Sequence, residues 1–186
     1  MNFIKTLALI FIFGFTYSNA IVPPDNNYDY DYGDRITVSM SNIDDIGIIM
    51  LKNKRGTNPI LVSEWINGEH GSGSRDITNL LDVGDNYIVY AVYNKYYAGT
   101  GIFAGGKYSF YFSMSKNGAS IFSASDFVRD NSKGIKYWKI IKLTLDKNGN
   151  IRASDNVSSS IISQIQNKLS NLERDLNSNY GISVPF

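Results

Sequence analysis

The sequence predicts a mostly β protein: a single antiparallel β-sandwich of jelly-roll type with about eight strands, closed by one C-terminal amphipathic α-helix. Two observations carry the prediction. From Arg35 to Ile151 the hydrophobic period is two and the breaks fall at glycine, asparagine and aspartate. After Asp155 the period becomes that of a helix. A third observation sets how such a fold must be held: with no cysteine in 186 residues, packing alone has to stabilise it.

The first element is a leader. Lys5 supplies a positive charge, Thr6 to Phe15 is almost wholly apolar, and Ser18-Asn19-Ala20 places small side chains where a signal peptidase reads. This predicts a signal peptide over 1–20. The apolar run is shorter than the roughly 20 residues that cross a bilayer as a helix. The expected mature chain, 186 − 20 = 166 residues, is therefore secreted, extracellular or periplasmic, with no transmembrane segment.

Residues 21–34 read as an acidic, tyrosine-rich tether, with Asp25, Asp29, Asp31 and Asp34 interleaved with Tyr28, Tyr30 and Tyr32. Four aspartates offer hard oxygen ligands, but their spacing departs from the D-x-D-x-D-G-x5-E calcium loop. No cofactor is indicated, and a structural calcium ion is the one metal this segment brings to mind.

Residues 35–153 form the expected sandwich. Ile36, Val38 and Met40 alternate with Thr37, Ser39 and Ser41, and Gly47 to Leu51 is a short apolar run. Pro59 to Ile66 follows a turn at Asn53 to Thr57. Tyr87 to Tyr93 and Lys107 to Met114 are the clearest strands, rich in β-branched and aromatic residues. In the latter, Tyr108, Phe110, Phe112 and Met114 share one face, and Ser109, Tyr111, Ser113 and Ser115 the other. Asn117-Gly118 predicts a tight hairpin, with Ser120 to Ser123 returning. Gly134 to Leu145 is a long strand ended by Asp146-Lys147-Asn148-Gly149, a turn that suits positive φ.

The helix is expected over 154–177, with a tail over 178–186. Val157, Ile161, Ile162, Ile165, Leu169, Leu172 and Leu176 recur at helical spacing, with Ser154 or Asp155 as the N-cap. Either this stripe covers the sandwich or it is offered to a partner.

Trp65 to Asn94 reads WINGEHGSGSRDITNLLDVGDNYIVYAVYN. Asn67-Gly68, Asp76-Ile77-Thr78, Leu80-Leu81, Gly84-Asp85-Asn86 and Tyr93-Asn94 together resemble the galactose-binding-like jelly rolls, including sugar-binding domains of β-galactosidase-type glycoside hydrolases. The resemblance implies the fold and, more distantly, carbohydrate binding. The residues themselves say that Asp76 and Thr78 bond backbone amides and start a helical turn, that Leu80 and Leu81 plug the sandwich end, and that Gly84 launches a buried strand.

Composition narrows the function classes. Eighteen basic residues against 17 acidic ones leave no excess for binding nucleic acid through phosphates. His70 is the single histidine; with Ser72 or Ser74 and Asp76 it spells a triad on paper, but the Gly/Ser loop offers no oxyanion hole and no G-x-S-x-G elbow occurs. Glu64, Glu69, Asp76, Asp126 and Asp130 are the acids from which a glycosidase pair would come. The glycines at 99, 101, 105 and 106 form no phosphate loop. The aromatic constellation is richer. Tyr93, Tyr96, Tyr97 and Phe103 flank a glycine-rich loop, and Asp126, Arg129, Asn131 and Lys133 precede Tyr137-Trp138. Rings beside amides and carboxylates suit a sugar face, or a protein hot spot, or the core.

The sequence therefore points to a secreted, non-enzymatic binding protein, with Tyr96, Tyr97, Asp126, Arg129, Asn131 and Trp138 as ligand-binding candidates and a glycan or protein as partner. The alternatives are a bacterial envelope, secretion-associated or virulence protein acting through protein contacts, and a small hydrolase.

Overall fold

The computed structural model describes residues 34–66, 68–95, 107–130 and 132–179. Within them the chain runs β1 (Ile36–Ile43), β2 (Ile46–Asn53), β3 (Gly56–Glu64), β4 (Gly71–Asp76), a 3-10 turn (Thr78–Leu80), β5 (Gly84–Asn94), β6 (Lys107–Lys116), β7 (Ala119–Arg129), β8 (Gly134–Leu145), β9 (Ile151–Ser154) and α1 (Ser159–Asn179). The strands form two antiparallel sheets, ordered β4-β1-β6-β7 and β3-β2-β5-β8-β9. They pack face to face as a β-sandwich. The leader, residues 21–33 of the expected tether and the tail beyond 179 lie outside the described residues, while Asp34 at the tether's end accepts from the Ile151 N–H at 3.0 Å.

The inner core follows from the alternation. Ile36, Val38 and Met40 of β1 and Tyr108, Phe110, Phe112 and Met114 of β6 meet Ile49, Leu51, Ile88, Tyr90, Ile141 and Leu143 of the other sheet. Rings bridge the layers: Tyr90 lies 5.1 Å from Phe112, and Phe110 lies 4.4 Å from Tyr137. Each such pair adds about 0.5–1.5 kcal/mol beyond the area it buries. Burial holds the Tyr90 phenol well above the usual tyrosine range.

A second core lies on the outer face of the five-stranded sheet. Ile46, Ile48, Met50, Val89, Ala91, Tyr93 and Ile140 pack against Ile165, Leu169 and Leu176 of α1. The apolar stripe of the helix thus covers the sheet. β2 and β5 are consequently buried on both faces, which is why Gly47 to Leu51 reads as a continuous apolar run rather than an alternation. Glu173 fixes the far half of α1 by accepting from the Ile135 N–H at 3.0 Å, and Tyr93 donates its hydroxyl to Asn177 at 2.7 Å.

The helix begins at Ser159, later than an N-cap at Ser154 or Asp155 would place it. Ser154 instead accepts from the Asn156 N–H at 3.0 Å and caps a turn, and the Ser158 carbonyl takes the first helical bond, from Ile162. Val157 still packs on the second core from outside the helix.

Local chemistry sets the turns. Asn117 and Gly118 have φ of 53° and 80°, the doubly left-handed pair of a two-residue hairpin. Asp76 accepts from the Thr78 N–H and hydroxyl at 3.0 and 2.7 Å, starting the 3-10 turn, and Leu81 is buried beneath it. Gly84 has φ 106°. Asn86 then locks the start of β5, accepting from Asp82 N–H and donating to the Asp82 and Gly84 carbonyls. The Asp146 carboxylate takes the Asn148 and Asn150 N–H groups, so it closes a turn.

Candidate functional site

With α1 seated on one sheet, the outer face of β4-β1-β6-β7 is the sheet surface left to solvent among the described residues. The pleat makes it a field of hydroxyls. Ser74, Ser39, Ser113 and Ser123 fall in one row across all four strands, and Asp76, Thr37, Ser115 and Ser120 in a parallel row. Rings break the pattern at one end. Tyr111 pairs with Ser125 and Ser109 with Phe127, so the two ring-bearing residues are diagonal neighbours, their backbones roughly 7–8 Å apart by strand geometry. Tyr111 is 41% exposed and Phe127 62% exposed.

These rings border a shallow, open concavity of about 500 Å³, whose rim includes Asn42, His70, Lys107 and Asp126. A bulge in the β1-β4 pairing between Met40 and Ile43, with Asn42 at φ 54°, turns the chain there. The Ser109 hydroxyl donates to the Asn42 carbonyl at 2.7 Å, and the Asp44 N–H to the Ser109 carbonyl at 3.2 Å. The Asp44 carboxylate stands 3.9 Å from His70 Nδ1 and 4.0 Å from Lys107 Nζ. Lys107 Nζ also lies 5.8 Å from the centre of the Phe127 ring, within cation-π range.

Behind this corner sits Asp45, nine-tenths buried. Its carboxylate accepts the Lys95 backbone N–H, and burial, then the neighbouring Asp44 charge, push the carboxyl up to about 6. Asp45 Oδ2 has no hydrogen-bond partner among the described residues. Lys95 and Glu64 form an ion pair beside it.

The sequence candidates divide. Asp126 lines the concavity, its carboxylate accepting the Phe127 N–H at 2.8 Å. Arg129 lies at the same end of β7. Trp138 belongs elsewhere: it is 38% exposed on the helix-covered sheet, in a groove of about 330 Å³ with Ile135, Gln166 and Ser170. A single site joining Asp126 and Arg129 to Trp138 is thus not what the fold builds, because the sandwich puts them on opposite layers. Tyr96, Tyr97 and Asn131 lie outside the described residues, as does Phe103. Tyr93 is core, and Tyr137 packs against the inner core.

His70 faces Asp44, while Asp76 lies at the other end of β4 and is occupied by Arg35 and Thr78. The paper triad is therefore not assembled. Among the described residues no group of three or more His, Asp or Glu side chains is placed to hold a metal ion, and no helix is long and apolar enough to cross a membrane.

Fold and face together define an antiparallel β-sandwich with one helix-covered layer and one open, hydroxyl-rich layer. Comparison with known proteins finds no matching family model, no matching curated protein and no matching solved structure.

Proposed function

We propose that this protein is a secreted, non-enzymatic binding domain that recognises carbohydrate on the outer face of its four-stranded sheet. The carrying observation is the diagonal pair of exposed rings, Tyr111 and Phe127, on a concave surface that also carries serines and the Asn42, His70, Lys107 and Asp126 side chains. A sugar ring has an apolar C–H face that stacks on an aromatic and a rim of hydroxyls that exchange hydrogen bonds with such groups. The leader-like first 20 residues support export, and the likeness of Trp65 to Asn94 to galactose-binding-like jelly rolls supports the same ligand class.

A broad glycan array tests this. Binding that falls tenfold or more in Tyr111→Ala and Phe127→Ala, with thermal melts as the control for folding, supports the reading; an array with no hits removes it.

Protein recognition is the second reading, favoured by β7 itself, an eleven-residue edge strand whose side chains are mostly exposed and whose outer edge no described strand pairs. A partner added as a further strand would survive both aromatic substitutions, since the β7 backbone is unchanged by them.

A further inference from the structure

The ring-bearing end of the face carries an arrangement that sheet energetics disfavours. Lys107 of β6 and Arg129 of β7 are direct cross-strand partners, and both side chains project from the same face as Phe127. Like charges directly opposite one another in a sheet are destabilising. Among the described residues one of the two has a carboxylate partner, and that only at long range. Lys107 is half exposed and forms a long ion pair with Asp44 at 4.0 Å, and no ion pair or side-chain hydrogen bond of Arg129 occurs among the described residues. The carboxylates nearby are turned to other work: Asp44 is largely buried and shared with His70. Asp126, at the margin of the concavity, pairs with Phe110 and accepts the Phe127 N–H. Among the described residues, this end of the face shows to solvent two cations beside an exposed ring, with the Asp126 carboxylate at the margin of the concavity.

We infer that the site takes an acidic glycan, with a carboxylate or sulfate group held between Lys107 and Arg129 while its sugar ring lies on Phe127 and Tyr111. This rests on the carbohydrate reading above and narrows it by charge complementarity. A bound anion turns the Lys107-Arg129 repulsion into two charge-assisted hydrogen bonds, the strong kind. Arg129 offers the planar fork that fits a carboxylate or sulfate, and Lys107 a point charge that reaches the same group. The Phe127 ring, already facing Lys107, supplies the apolar platform.

The test uses matched ligands: a tetrasaccharide of uronic acid units, its carboxyl-reduced neutral counterpart, and the neutral counterpart bearing sulfate. These are titrated calorimetrically at about 50 and 300 mM salt, alongside a broad array containing acidic and neutral glycans. At low salt the acidic ligands should bind roughly tenfold or more tighter than the neutral one, with the advantage shrinking at high salt. The doubly neutralised variant Lys107→Gln/Arg129→Gln should lose that advantage, and the single variant Arg129→Gln, which changes no residue lining the concavity, should lose a large part of it while retaining any binding of the neutral ligand. Preference for the uronate or for the sulfate ester identifies which anion is the natural group. Equal, salt-independent binding of acidic and neutral glycans would overturn the inference and leave the carbohydrate reading standing. Absence of binding to every glycan on the array overturns both.

Discussion

Replacing Asp45 with asparagine should stabilise the protein at neutral pH and remove most of its pH dependence between about pH 4.5 and 7.5. The carboxyl is buried at the β1-β2 corner, one oxygen accepting the Lys95 N–H and the other without a partner among the described residues. It titrates near 6 in the fold against 3.8 in the unfolded chain. The folded state therefore holds this proton more tightly, so the associated stability is fully present below about pH 4 and is lost as pH rises through 6. At pH 7.5 the ionised group costs about 3 kcal/mol relative to its protonated form. Asparagine keeps an acceptor for Lys95 and carries no charge, so Asp45→Asn should recover most of that, a Tm rise on the order of 10 °C for a domain of this size. Urea denaturation of both proteins at pH 7.5, 6.0 and 4.5 reads the effect as a gap that closes on acidification. Stability curves that run parallel across the range would refute the argument.

Three other substitutions probe the frame. Asn86→Ala removes three hydrogen bonds from a fully buried amide and should cost about 2–3 kcal/mol in urea denaturation. Leu169→Ala, at the centre of the interface between α1 and the five-stranded sheet, should cost about 2–5 kcal/mol and raise binding of a hydrophobic dye as the helix loosens. Gly134→Ala combines φ 122° with a Cβ driven into the Glu173 carboxylate that holds Ile135; a loss of about 1–3 kcal/mol in thermal melts is expected.

The strands that were legible in the sequence are those whose side chains alternate in register with burial. β6 is the clearest: its inward rings and outward serines follow strict period two, so the solvent-facing position of Tyr111 was already readable. Phe127 was not. The β6-β7 register slips between Met114 and Ser115, pairing Met114 with Phe122 but Ser115 with Ser120. The extra residue, Ile121, reverses the phase of everything after it. A period-two reading stops near Ser123, whereas the strand continues to Arg129. β4 was hidden for another reason. Gly71-Ser-Gly-Ser-Arg-Asp has no intrinsic preference for a strand; pairing with β1 makes it one. Gly71 is required by β3, because a Cβ there would lie 2.8 Å from the Glu64 nitrogen. The cation pair Lys107-Arg129 spans 22 residues of sequence and becomes visible only through the hairpin register.

The position of α1 has a consequence for where function can reside. A sandwich offers two outer faces, and here the helix converts one into a second core, with Tyr93 and Ile140 beneath Ile165 and Leu169. Rings on that layer therefore serve packing, Trp138 at the groove margin excepted. Pleat parity divides the remaining rings strand by strand: Phe110 and Phe112 face the inner core while Tyr111, between them, faces water. An exposed ring on a hydroxyl-rich sheet forgoes burial worth about 1.5–3 kcal/mol, and at Phe127 it does so beside two directly opposed cations, Lys107 and Arg129. Neither the exposed ring nor the opposed cations are what sheet packing alone would select, and the two coincide at one end of the sheet face that the helix leaves open.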